Sequence, residues 1–223
     1  MSAITVTAFR WVPPFAQGLV RDLRVRWALE EAGLPYRERL IGREEQNSDD
    51  YRALQPFGQV PAIEDGDLRL FESGAIVLHI ADRSSALQPA DSHQRELVRS
   101  WTLAALNTVE PPIMMLNMID LQPGGAPEGA KGLRDGIVAA IGTRLDSVAR
   151  FLGEREHLVA DRFTAADLML TTVLRILRNT DLVGSRPTLA TYQRRGEERP
   201  AFRKALDAQL AAFAAHAPTG APA

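Results

Sequence analysis

The sequence predicts an α/β domain followed by an all-α domain. Strand-type patterns and hairpin signals are confined to the stretch that ends near Phe71, whereas from about residue 93 onward the apolar positions recur at helical spacing. The chain has 223 residues, 45% of them hydrophobic and 24% charged, enough apolar surface for one large folded unit or two small ones.

The elements follow in order. Ile4, Val6 and Ala8 alternate with Thr5 and Thr7, the period of a half-buried strand. After Pro13-Pro14, Leu19, Leu23 and Trp27 recur every four residues with Arg21, Asp22, Arg24 and Glu31 elsewhere, which predicts an amphipathic helix from Leu19 to Ala32, closed by Gly33 and Pro35. Tyr36 to Ile41 fits a second strand, followed by a polar loop from Gly42 to Asp50. Beyond Val60-Pro61, Asp65-Gly66 is a hairpin turn between two short strands, and Ser73 is placed to N-cap a helix from Gly74 to Arg83.

Residues 84–92 read as a linker between a domain at 1–83 and a helical domain at 93–223. The helical half is expected to hold a long helix from about His93 to Leu121, bent at Pro111-Pro112, then helices over 133–152, 165–180, 189–196 and 200–213. The last ten residues, rich in Ala, Pro and Gly, are expected to fray.

Several function classes are excluded by composition. Lys and Arg (26) balance Asp and Glu (28), so the cation excess of a nucleic-acid binder is missing. With no cysteine, disulfides, thiolate metal sites and a cysteine nucleophile drop out. His79, His93, His157 and His216 have no metal-ligand spacing, and no phosphate-binding glycine fingerprint occurs. No apolar run is long enough to span a membrane, and a cytoplasmic protein is expected.

Three segments carry a family resemblance: Gly58-Gln59-Val60-Pro61-Ala62-Ile63, Glu72-Ser73-Gly74-Ala75-Ile76, and Phe163-Thr164-Ala165-Ala166-Asp167. In this order and spacing, over nearly the whole chain, the sequence resembles the cytosolic glutathione transferases. The resemblance implies a thioredoxin-like N-terminal domain that binds glutathione and an all-α C-terminal domain that contributes the electrophile pocket. It implies that Pro61 is cis and that Val60 offers its N–H and C=O to the cysteinyl part of the tripeptide, a β-type pairing. Ser73, at the positive end of a helix, would take the γ-glutamyl carboxylate, with Glu72 meeting the ammonium. Gln59 would donate to the glycyl end. Thr164 and Asp167 form a capping box and are assigned to folding. Glutathione is co-substrate, with no cofactor and no metal.

The resemblance breaks where the family keeps the hydroxyl or thiol that activates glutathione. From Ala8 through Pro35 there is no Ser, Thr, Tyr, Cys or His, and the usual serine position falls near Gly18, Leu19 or Val20. Backbone N–H groups of Gly18 and Leu19 at the start of the first helix, with the Gln17 amide, are the candidates to favour the thiolate. Bacterial classes such as eta also lack the hydroxyl and use a loop aromatic with an arginine of the helical half, roles that Phe15 and Arg178 match and for which Arg175 competes. Trp11, Met114, Met115, Met118 and Arg175 are candidates for an electrophile pocket, although methionines at helical spacing are more often core or interface. Phe57 resembles the aromatic key of family homodimers.

The expected activity is conjugation of reduced glutathione to hydrophobic electrophiles, with hydroperoxide reduction as a side activity. A glutathione-dependent isomerase or dehalogenase, and a non-catalytic glutathione-binding module, are the alternatives.

Overall fold

The computed structural model describes residues 3–122, 127 and 129–218. Two compact units form: residues 1–88 together with 198–223, and residues 89–197. The first unit runs β1 (Ile4–Phe9), α1 (Asp22–Ala32), β2 (Tyr36–Ile41), α2 (Arg43–Gln46), α3 (Asp49–Leu54), β3 (Ala62–Asp65), β4 (Leu68–Phe71) and α4 (Ser73–Asp82). The second holds α5 (Ser92–Ala104), α6 (Glu110–Asp120), α7 (Lys131–Leu152), α8 (Ala165–Arg175) and α9 (Pro187–Glu197), after which α10 (Pro200–Ala215) belongs to the first unit again.

The sheet has the order β2-β1-β3-β4. β1 and β2 are parallel, from Ile4 opposite Tyr36 to Phe9 opposite Ile41, and β3 is antiparallel to both β1 and β4. The parallel pair needs a crossover, which α1 supplies. Its core includes Val6, Val25, Trp27, Leu29, Ile63, Ile76 and Ile80, all fully buried. The expected α/β fold followed by helices is therefore present, and no helix among the described residues is long and apolar enough to cross a membrane.

α1 differs from expectation twice. It begins at Asp22 rather than Leu19, because Pro14–Ala16 forms a separate tight turn and Gly18 takes a positive φ of 73° that a helix cannot continue. Nor is it amphipathic: Asp22 to Leu29 are all buried, because α4, β1 and α10 cover it. Its charges are satisfied inside. Asp22 Oδ2 accepts from Arg26 Nε at 2.7 Å, Arg26 Nη1 also reaches Glu38, and Gln209 Nε2 of α10 donates to Asp22 Oδ1 at 2.7 Å.

The last helix was expected with the helical half, yet α10 packs on α1, with the Phe202 ring edge-on to Trp27 at 4.8 Å. Leu87, in the expected linker, is fully buried, and the first unit extends through Gln88. Of the tail expected to fray, Ala214 and Ala215 are still helical, and 219–223 lie outside the described residues.

The expected polar loop after β2 contains α2 and α3 instead. Glu45 returns to accept from the Gly42 N–H at 3.0 Å, and Ser48 caps α3 by accepting from Tyr51 N at 3.2 Å. The long helix of the second unit is interrupted by a wider turn at Ala105–Val109 in which the Glu110 N–H reaches the Ala105 carbonyl, just ahead of Pro111-Pro112. The prolines offer no N–H, so the preceding turn cannot close in the ordinary register. α8 stops at Arg175, short of the expected Thr180.

Candidate functional site

The turn before β3 is built by three side chains. Gln55 Oε1 accepts from Phe57 N at 2.7 Å, Gln46 Nε2 donates to the Gly58 carbonyl at 2.6 Å, and Tyr51 Oη donates to the Gln59 carbonyl at 2.5 Å. Burial pushes the Tyr51 hydroxyl up to about 12, against a weaker pull from Arg39, so it stays a neutral donor. Gly58 sits at φ +63°, and a Cβ there would lie 3.2 Å from the Gln46 carbonyl, so any side chain at this position is strained. The Val60-Pro61 peptide is cis. Val60 precedes the ladder, which begins with Thr7 opposite Ala62, so its N–H and C=O make no ladder hydrogen bond. Gln59 is exposed beside it.

α4 starts one residue earlier than expected: Glu72 is the N-cap and Ser73 the first helical residue, so Ser73 does not cap. Glu72 has a φ of 69°, the left-handed region that disfavours side-chain-bearing residues and marks functional sites when it persists. Its side chain is exposed and caps nothing. The Ser73 hydroxyl is buried at 4% exposure and accepts from Arg24 Nη1 of α1 at 3.2 Å. Arg24, itself only 3% exposed, is a component that pattern reading placed on the solvent face of α1. The only sequence signal was its place in the run Leu23-Arg24-Val25-Arg26-Trp27, where cations alternate with large apolar residues.

The loop after β1 corrects the expectation for Leu19 and for the Gln17 amide. The Leu19 N–H donates to the Ala16 carbonyl at 3.0 Å, in a turn ahead of α1 rather than at its N-terminus. Gln17 Nε2 donates to the Val12 carbonyl at 3.0 Å. Gly18 is buried in this turn, while Phe15 is 56% exposed. Arg10, next to Trp11, reaches Glu45 at 2.7 Å, and this hydrogen bond, with backbone donors, pulls the Glu45 carboxyl down to about 2.

In the second unit, Arg175 pairs with Glu197 at 3.1 Å. Arg178, just past α8, has its pKa lowered by partial burial and by the neighbouring Arg175 charge. Met115 and Met118 are exposed rather than core, and Met115 lines a groove of about 420 Å³ between α6 and α7 with Pro111, Pro112, Ile137 and Arg144. Thr164 and Asp167 form the expected capping box: Asp167 Oδ2 accepts from Thr164 N and Oγ1, each at 2.9 Å. Asp167 Oδ1 accepts from Leu158 N and Tyr192 Oη, which makes this carboxylate a structural hub.

A four-stranded sheet with this crossover, a cis-proline before β3 and a buried serine opening the following helix define a thioredoxin-like domain, here followed by helices. The family model "Glutathione S-transferase, N-terminal domain" matches residues 16–82. Glutathione S-transferase F11 of Arabidopsis thaliana is 33% identical over 180 residues, covering 76% of this chain and 82% of that protein. Glutathione S-transferase 4 of Zea mays is 30% identical over 215 residues, covering 92% and 93%. A glutathione transferase of Burkholderia graminis, solved with two glutathione molecules bound per subunit, superposes with a TM-score of 0.80 at 26% identity, covering 92% of this chain and 88% of that one. The chain belongs to the glutathione S-transferase family.

Proposed function

We propose that the chain binds reduced glutathione on the first unit and adds its sulfur to hydrophobic electrophiles. The observation that carries this reading is the mouth of α4: a buried Ser73 hydroxyl, an exposed Glu72 held at positive φ, and Val60 outside the ladder behind the cis peptide bond. A carboxylate suits the helix N-terminus, an ammonium suits Glu72, and an extended cysteinyl backbone suits Val60, with Gln59 toward the glycyl end. The relatives named above support the same ligand.

For thiol activation the reading keeps Phe15 and Gly18 of the β1–α1 loop and Arg178 of the helical unit, an eta-like arrangement, with Trp11, Met115 and Arg175 toward the electrophile. Hydroperoxide reduction, in which two glutathiones become the disulfide while the peroxide yields alcohol and water, is the side activity. The exposed Phe57, in edge-on contact with Phe71, supports a homodimer, and a cytoplasmic setting completes the reading.

A non-catalytic glutathione-binding protein is the second reading, favoured by one observation: the Leu19 N–H and the Gln17 amide are already engaged within the loop. Retention on immobilised glutathione, followed by turnover with standard electrophiles, decides between them. Retention with turnover is expected, and an ultraviolet titration of bound glutathione should give a thiol pKa below the roughly 8.5 of free cysteine. Retention without turnover, and an unshifted thiol, would replace the transferase with the binding protein. No retention would overturn both.

A further inference from the structure

We propose that Arg24 is a positioning residue of the glutathione site, which orients the Ser73 hydroxyl as a donor and makes the mouth of α4 select a carboxylate. The inference rests on the reading of that mouth as the γ-glutamyl subsite.

The polarity of the contact follows from chemistry. A guanidinium has five N–H donors and no acceptor, so in the 3.2 Å contact with Arg24 Nη1 the Ser73 oxygen must accept. The hydroxyl proton then points away from Arg24, and among the described residues no acceptor takes it. A hydroxyl that accepts from a cation also becomes a stronger donor. Ser73 is thus prepared to donate and not to accept, in a site where both groups are almost wholly removed from water.

Charge works in the same direction. A guanidinium buried at the first turn of α4 places a cationic group beside the partial positive charge of the helix N-terminus. Attraction for an anion is little screened there, whereas a neutral amide or a cation gains nothing from it. Arg24 lies among Leu23, Val25 and Trp27, which are fully or almost fully buried, so packing alone would be met by an apolar residue, and burying a charge is costly unless it is hydrogen-bonded. Its reach to Ser73 ties α1 to α4 across 49 positions of sequence.

The test compares glutathione with its analogue in which the γ-glutamyl α-carboxylate is a carboxamide. Wild type should bind glutathione much the better. In Arg24→Met the Kd and KM for glutathione should rise roughly 10- to 100-fold, the size of a lost charge-assisted hydrogen bond, and the preference over the carboxamide should shrink by the same factor. kcat at saturating glutathione and the KM for the electrophile should stay within about twofold, a split that a general loss of structure would not produce. Arg24→Lys, which keeps the charge, should recover part of the affinity and carries the test if the methionine variant does not fold. Combined with Ser73→Ala it should weaken binding by less than the product of the two single effects. A wild type that does not discriminate, or a Ser73→Ala variant of unchanged affinity, would overturn the subsite itself. A subsite that does discriminate, with preference unaltered in folded Arg24 variants and with multiplicative effects in the double variant, would overturn the role of Arg24 alone.

Discussion

Arg199 and Glu31 form a two-pronged ion pair, Nε to Oε1 at 2.6 Å and Nη2 to Oε2 at 2.8 Å, although 168 residues separate them. Glu31 also accepts from Trp27 Nε1 at 2.9 Å, so the end of α1 and the start of α10 are joined through one largely buried carboxylate. Planar, bidentate pairing is the geometry in which an arginine contributes most.

Replacing Arg199 with alanine should therefore lower the stability of the first unit by about 1 to 2 kcal/mol, since Arg199 is partly solvated while the largely buried Glu31 would lose both prongs of the pair and keep its Trp27 N–H. A shifted urea midpoint with glutathione affinity within about twofold of wild type is the expected result. An unmoved midpoint would mean that the pair holds nothing.

At the mouth of α4, Ser73→Ala and Glu72→Ala should each weaken glutathione binding by about 1 to 3 kcal/mol in calorimetry. Glu72→Gly should lose a similar amount of affinity but gain thermal stability, because glycine relieves the positive φ of 69°. If the glycine variant melted below wild type, the backbone at 72 would not be strained by its side chain.

Thr164→Ala should leave glutathione binding unchanged and cost about 1 to 2 kcal/mol of stability, through the lost cap of α8. Tyr192→Phe should also destabilise, since it removes a donor from the same buried Asp167. Denaturant melts of the two variants check both.

The Arg10–Glu45 link gives a pH signature. Glu45 is held down to about 2 from its ordinary 4.5, so its contribution to stability is present above about 4.5 and is lost as the pH falls toward 2. In Glu45→Gln that part of the acid dependence should vanish: urea midpoints of variant and wild type should differ above pH about 5 and converge on acidification. A constant gap at all pH values would place the effect of the substitution elsewhere.

The site was only partly legible in the sequence. Val60-Pro61, Glu72 and Ser73 stood out because their segments, in one order and spacing with Phe163 to Asp167, resemble those of the glutathione transferases, although each segment alone is a weak signal. Arg24 did not, because period-four reading assigns charges on α1 to solvent, and that assumption fails for a helix enclosed by β1, α4 and α10. The loop before α1 misled in the opposite sense. The missing hydroxyl suggested free backbone donors, yet Leu19 spends its N–H on Ala16, a contact that depends on where the helix begins.

What the sequence by itself determined was the four strands and the principal helices, though not α2 and α3, together with the hairpin at Asp65-Gly66 and the capping box at Thr164, since each is set by alternation, turn chemistry or hydrogen bonds within a few residues. The tertiary structure alone decided that α10 belongs with α1, that Asp22, Arg24 and Arg26 are interior charges, and that Ser73 is backed by a cation. Those outcomes depend on which surfaces meet across dozens of residues. Burial then turns an ordinary polar side chain into one that must find a partner, and only the packed fold supplies it.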